Sequence, residues 1–89
     1  MSWKIRYSGQ ADKFLKKNPQ LAEGLKDSLH LFIKRINGET VSLDVKRMKG
    51  IWDGHVRIRK GDTRIILSVD EHTKIIHIKI INFRGDVYK

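Results

Sequence analysis

Three arginines alternate with apolar residues in the stretch HVRIRKGDTRI, residues 55–65. Arg57 and Arg59 precede a Gly-Asp pair that favours a two-residue hairpin turn, and Arg64 follows it. Guanidinium groups bind phosphate through paired, charge-assisted hydrogen bonds. Because its pKa lies above about 12, arginine does not act as a general base. The stretch therefore predicts anion binding and charge stabilisation, with proton transfer left to other groups.

With the Gly-Asp pair as its loop, the hairpin places Arg59 directly opposite Arg64. Opposed residues share a face of the sheet, so the three arginines lie together on one face, here called the arginine face. Opposed like charges destabilise a sheet, by a few tenths to about 1 kcal/mol. The predicted register supplies no acidic neighbour. Two explanations are open: an anion bound between the two arginines, or a carboxylate that reaches over from Asp53, Asp62 or Asp86.

A third strand continues this register after a four-residue loop at 71–74. Leu67 then opposes Ile78, and Ile65 opposes Ile80, which extends an apolar patch on the other face. The arginine face gains Ile66, His77, Lys79 and Ile81.

The N-terminal part of the chain predicts one strand and two helices. Apolar residues alternate with polar ones over residues 3–7, so that Trp3 and Tyr7 fit a core pattern. Ser8 is suited to cap a short helix, and Asn18 before a proline to cap a second one, which ends at the Asn-Gly pair 37–38.

Residues 39–50 predict a loop with room for one short strand or turn, and three strands rich in β-branched residues follow. The whole pattern predicts an α+β domain spanning residues 1–89. Its two N-terminal helices pack on a mainly antiparallel, four-stranded twisted sheet.

Composition limits the possible functions. At 89 residues the chain is too short for a second domain, and without cysteines it forms neither disulfides nor zinc-thiolate sites. The four histidines lack ligand-like spacing, so no metal or cofactor is expected. No signal peptide or membrane span is predicted, and we expect a cytoplasmic protein. The net charge of +9 favours an anionic partner: nucleic acid, an anionic membrane or an acidic protein.

Several segments together resemble the RelE/ParE superfamily of toxins from prokaryotic toxin-antitoxin systems. The resemblance covers nearly the whole chain, through SGQADKFLKKNP, KRMKG, the VRIRKGDTRIIL hairpin and the ending FRGDVYK, which is similar to the family's HRxxVY-type ending. The RelE branch implies ribosome-dependent cleavage of mRNA in the A site. It also implies a cognate, RelB-like antitoxin that wraps and inactivates the toxin, within a toxin-antitoxin heterotetramer.

The resemblance also implies site residues. Catalytic roles fall on Arg64, Arg84 and Tyr88. RNA or phosphate contacts are expected from Arg57, Arg59, Lys60, Lys46 and Lys49. The chain departs from the family's pattern where Thr63 and Leu67 replace common aromatics and where Phe83 replaces a histidine.

Cleavage of RNA by its own 2′-hydroxyl needs a base, charge stabilisation on the phosphate and an acid. Tyr88 is the preferred base, provided that neighbouring cations lower its pKa from about 10. His55 and His77 share the parity of the arginine face and titrate in a useful range, but a lone strand histidine is more often a partly exposed filler. Trp52 fits a cap on the sheet end better than a base-stacking platform.

Two other functions fit the same sequence. A ParE-like inhibitor of DNA gyrase would use this fold without nuclease activity. A non-catalytic RNA-binding or protein-binding module would explain why no clear acid-base pair is present.

Overall fold

The structure is a computed structural model that describes residues 2–83. Its strands are β1 (Lys4–Tyr7), β2 (Asp44–Arg47), β3 (Val56–Lys60), β4 (Thr63–Asp70) and β5 (Ile75–Phe83). Its helices are α1 (Gly9–Lys17) and α2 (Ala22–Ile36), with short 3₁₀ turns at Pro19–Leu21 and Gly50–Trp52.

The five strands form one mixed sheet in the order β1-β5-β4-β3-β2. β1 pairs parallel to β5, and the other neighbours are antiparallel. The predicted α+β class with two helices is confirmed. The predicted number of four strands is wrong, because the short strand left open within residues 39–50 does form, at 44–47, and joins the sheet as an edge strand. Alternation of Leu43 and Val45 with polar residues is the pattern that this strand leaves in the sequence.

Helix α1 begins where the sequence predicts. The Ser8 hydroxyl accepts a hydrogen bond from the Ala11 N–H at 3.1 Å, as an N-cap does, and donates one to the Lys79 carbonyl at 2.6 Å. Two residues on, the Gln10 side-chain amide donates to the Ile81 carbonyl at 2.7 Å and accepts from the Ile81 N–H at 2.9 Å. These bonds attach the start of α1 to β5.

The start of α2 differs from the prediction, and its end confirms it. Asn18 does not cap the second helix. Its side-chain amide donates to the Phe14 carbonyl at 2.9 Å, and its backbone N–H donates to carbonyls in the last turn of α1, so that Asn18 is the C-cap of α1. The following proline opens a 3₁₀ turn before α2. At the other end α2 stops at Ile36, and Gly38 has a φ of +93°, which glycine adopts without strain.

The β3–β4 register is the predicted one, from Val56 opposite Leu67 to Lys60 opposite Thr63. On β5 the pairing of Leu67 with Ile78 is also confirmed. Between the pairs Ile66–Ile80 and Leu67–Ile78 the register shifts, because β5 has one extra residue there, Lys79. As a result Ile65 faces Ile81 and not Ile80, so from residue 80 onward the predicted faces of β5 are exchanged: Ile81 lies in the core and Ile80 on the arginine face.

The core lies between the helices and one face of the sheet. Its buried members are Ala11, Leu25, Leu29, Phe32, Ile58, Ile65, Leu67, Ile76, Ile78 and Ile81. Trp3 packs against this cluster, but Tyr7 is 45% exposed, so its assignment to the core is wrong. No helix within residues 2–83 is long and apolar enough to cross a membrane.

Candidate nucleic-acid interface

The arginine face is the side of the sheet turned away from the core, because its residues alternate with the core isoleucines along β3 and β4. Two rows of side chains cross it from β2 to β5. The first row is Asp44, Arg59, Arg64 and Asn82; the second is Lys46, Arg57, Ile66 and Ile80.

Asp44 supplies the acidic neighbour that the sequence analysis did not find. Its Oδ1 accepts a hydrogen bond from Arg57 Nη2 at 2.9 Å, and its Oδ2 lies 3.4 Å from Arg59 Nε. A partly exposed ion pair is worth about 0 to 1 kcal/mol, which matches the cost of opposing Arg59 to Arg64. The like-charge pair therefore does not by itself require an external anion.

Arg64 has no such partner within residues 2–83. Its Nε is buried and makes no hydrogen bond with any described residue, and no ion pair engages its guanidinium. Asn82, directly opposite on β5, is 8% exposed and its Oδ1 likewise lacks a hydrogen-bond partner among residues 2–83. Buried polar groups normally have hydrogen-bond partners. Arg64 Nε–H can therefore still donate a hydrogen bond to a bound molecule, and Asn82 Oδ1 can still accept one.

In the second row an apolar residue, Ile66, lies directly beside the basic groups. Ile66 is fully buried, although it faces away from the helices and is not part of the core cluster. Arg57 beside it has a side chain only 16% exposed. The arginine face is therefore a packed surface, on which the guanidinium groups are held and not freely solvated.

A shallow basic cleft of about 360 Å³ opens beside this face at β2. It is lined by Lys46, Arg47, Met48, Lys49 and Arg57. The Nη2 atom of Arg57 contacts Asp44. Its Nε is buried and has no hydrogen-bond partner in the described chain, so the Nε–H group is still available to donate a hydrogen bond. The cleft thus brings together three of the residues predicted to contact phosphate, Lys46, Lys49 and Arg57, and Asp44 joins Arg57 to Arg59.

Lys60 is not brought to this group. It pairs with Thr63 and shares the face of Ile58, on the helix side of the sheet. A Cβ built on Gly24 of α2 would lie 3.3 Å from Lys60 Cε, so the lysine stem passes close over the helix. Its expected phosphate contact would have to form on the opposite side from the arginines.

The two histidines occupy different positions. His55 packs edge-on against Trp52 at 5.2 Å between ring centroids, and its buried Nδ1 has no hydrogen-bond partner in residues 2–83. His77 pairs with Ser68, four residues along β4 from Arg64. At roughly 3.3 Å per residue their backbone positions are about 13 Å apart, so the two side chains are not neighbours on the sheet.

Arg84 and Tyr88 lie outside the described residues, so the expected catalytic set meets the structure only at Arg64. The described face carries guanidinium and ammonium groups beside one carboxylate, that of Asp44. No group of three or more His, Cys, Asp or Glu within residues 2–83 is arranged to hold a metal ion.

Sequence reasoning missed Asp44 and Asn82. The alternation around β2 could have revealed Asp44. Asn82 could not be assigned, because its face depends on the shift in β5 pairing.

Known structures show the same architecture. The archaeal RelE-RelB complex from Pyrococcus horikoshii matches with 27% identity over 98% of this chain and 100% of that chain, at a TM-score of 0.61. The RelB-RelE antitoxin-toxin complex from Methanococcus jannaschii matches with 25% identity over 89% of each chain, at 0.65. The toxin-antitoxin complex RelBE2 from Mycobacterium tuberculosis matches with 16% identity over 94% of this chain and 100% of that chain, at 0.71.

No protein-family model matches the sequence, and a search of the curated proteins finds no match. The assignment therefore rests on three-dimensional similarity that spans nearly the whole chain. On that structural evidence the chain has the RelE-like fold and belongs to the RelE-like toxin superfamily.

Proposed function

We propose that this protein is the toxin of a type II toxin-antitoxin system and that it cleaves mRNA in the ribosomal A site. Support for the toxin role comes from the structural neighbours, which are toxins in complex with RelB-type antitoxins. Support for RNA as the target comes from the arginine face, where basic groups gather on a packed surface.

The observation that carries the proposal is the state of Arg64. This guanidinium lies in the middle of the sheet, opposite Arg59 and Asn82, with no acidic or hydrogen-bonding partner among the described residues. A scissile phosphate bound there would receive charge-assisted hydrogen bonds from Arg64. Lys46, Lys49 and Arg57 would hold the adjoining strand through its backbone phosphates.

In the proposed reaction the 2′-hydroxyl oxygen attacks the adjacent phosphorus, and the bond from phosphorus to the 5′-oxygen breaks. The attacking hydroxyl loses a proton, and the leaving 5′-oxygen takes one from a water molecule, which leaves a 2′,3′-cyclic phosphate and a free 5′-hydroxyl. Arg64 and Arg84 stabilise the charge that builds on the phosphate oxygens. Tyr88 takes the proton from the hydroxyl, with its pKa lowered by these cations.

The proposal includes a cognate RelB-like antitoxin that covers the arginine face. An acidic segment would offset its positive charge and exclude RNA from it. The assembly expected is a toxin-antitoxin heterotetramer in the cytoplasm.

A non-catalytic RNA-binding module is the second candidate. It is favoured by one observation: within the described residues His77 does not lie beside Arg64, since the two are about 13 Å apart along the sheet. In that function Tyr88 has no role in a reaction.

The test adds purified toxin to ribosomes programmed with a defined mRNA and maps the new RNA ends. The proposal expects cuts within the A-site codon, and loss of about 100-fold in rate in Arg84→Ala. Tyr88→Phe should lose a comparable factor and change the dependence of the rate on pH. Intact mRNA together with inhibited gyrase supercoiling would favour the ParE-like alternative.

RNA bound but uncut would favour the binding module. Undiminished cleavage by both tail variants would leave the nuclease activity standing and remove the assignment of Arg84 and Tyr88.

A further inference from the structure

We propose that Asp44 is a built-in competitor of the RNA phosphates: in the free protein its carboxylate occupies the anion position between Arg57 and Arg59. The two carboxylate oxygens divide between the two guanidiniums, at 2.9 Å to Arg57 Nη2 and 3.4 Å to Arg59 Nε. A phosphate oxygen pair would occupy the same donors. The inference rests on the proposed function, since it concerns ligand binding at the same face.

The geometry makes Asp44 a replaceable occupant. It is the first residue of β2, an edge strand, and its side chain is 48% exposed. Rotation of the side chain toward solvent would therefore free both arginines without moving the strand. Because one anion replaces another, phosphate binding at this pair alone gains little.

The neighbouring groups decide which ligands can displace it. In the part of the chain that the structure describes, no carboxylate pairs with Arg64, and Lys46 and Lys49 line the adjoining cleft. A nucleotide strand that reaches these groups while it displaces Asp44 gains contacts that the carboxylate never made. Asp44 thus lowers the affinity of the face for anions in general and favours ligands with several phosphates in a row.

The variant Asp44→Asn keeps the side-chain shape and removes the charge. Affinity is measured by fluorescence anisotropy with a single-stranded 2′-O-methyl hexanucleotide, which lacks the attacking hydroxyl and stays intact. We expect Asp44→Asn to bind it about tenfold more tightly, equivalent to about 1.4 kcal/mol.

The matched control is Asp12→Asn. Asp12 also forms an ion pair, with Lys16 at 3.1 Å, but lies on exposed α1. The net charge changes by the same amount, so the control measures the effect of charge alone, which we expect to stay below about twofold. Equal gains in the two variants would overturn the proposal.

A second arm removes the arginines. In an Arg57→Ala, Arg59→Ala background, Asp44→Asn should no longer raise the affinity, because the carboxylate then has no donors to occupy. A full gain in this background would overturn the proposal. Thermal unfolding of each variant shows that it is folded at the temperature of the binding assay.

The two proposals fail separately. A tighter Asp44→Asn variant with no mRNA cleavage by the wild type contradicts the nuclease function only. Cleavage by the wild type without a specific Asp44→Asn gain contradicts the competitor role only.

Discussion

We expect the side-chain amide of Gln10 to contribute measurably to the free energy of unfolding of this fold. Gln10 lies in the first turn of α1, where its amide makes two hydrogen bonds with the backbone of Ile81 in β5, at 2.7 Å and 2.9 Å. Strand β1 ends its pairing at Tyr7 opposite Ile78. Gln10 therefore takes the place of a neighbouring strand for the last part of β5, just before Asn82.

The magnitude follows from these two bonds. A hydrogen bond contributes about 0.5–1.5 kcal/mol net, and Gln10→Ala removes two while it leaves the Ile81 N–H and carbonyl to water. Since both bonds are only partly buried, we expect a loss of about 2 kcal/mol in the free energy of unfolding. For a domain of this size that corresponds to a decrease of about 8–16 °C in Tm.

Urea denaturation at 25 °C, followed by circular dichroism, measures this loss. Gln10→Glu should be at least as destabilised near neutral pH, because an ionised carboxylate accepts from the Ile81 N–H but cannot donate to the Ile81 carbonyl. The control is Gln20→Ala in the exposed 3₁₀ turn, with an expected effect within about 0.5 kcal/mol. If Gln10→Ala falls in that same range, the paired hydrogen bonds do not hold β5 and the reasoning is refuted.

Two further predictions concern stability. Ile66→Ala, at a fully buried position on the arginine face, should cost about 2–5 kcal/mol in urea denaturation; a loss below about 1 kcal/mol would show that this face is not packed. At the β4–β5 turn, hydrogen bonds from the Thr73 backbone and hydroxyl, followed by the His72 backbone, lower the pKa of Asp70. A carboxyl whose pKa is lowered in the folded state stabilises the protein at pH values above its unfolded pKa of about 3.9. This stabilisation is lost as the pH falls through the folded pKa. The stability difference between wild type and Asp70→Asn should therefore shrink below about pH 4, and a constant difference from pH 7 to pH 2 would contradict this.

The β3–β4 hairpin could be predicted because its sequence determines both its turn and its faces. The Gly-Asp loop fixed the pairing, and Ile58 and Ile65 could not leave the core without bringing Arg59 and Arg64 into it. Eleven consecutive residues, 55–65, were therefore enough to predict both the hairpin register and the position of the three arginines on one face.

Strand β5 could not be predicted in full, because it carries isoleucine at both 80 and 81. Either one can fill the core, so alternation does not show where the pairing shifts. The contacts of Ser8 and Gln10 with residues 79–81 come from 71 positions away in the chain. The sequence pattern of one strand cannot predict contacts with segments so far away in the chain.

Asp44 was missed for a different reason. Its strand is four residues long and lies at the edge of the sheet, where a short alternating segment is hard to distinguish from a polar loop. Without β2 the pairing of Arg59 with Arg64 resembled an unbalanced repulsion. With β2 in place, Asp44 offsets that repulsion, and the group left to attract an anionic ligand is Arg64, which has no partner among the described residues.

Cleavage of mRNA on programmed ribosomes by Arg64→Ala, compared with wild type and with Arg35→Ala, tests the central claim most directly. Arg35 is an exposed arginine on α2, on the other side of the sheet, so its removal changes the net charge equally. The account predicts that the wild type cuts in the A-site codon, that Arg35→Ala stays within about twofold, and that Arg64→Ala loses about 100-fold in rate. Intact mRNA with the wild type, or equal cleavage by all three proteins, would contradict it.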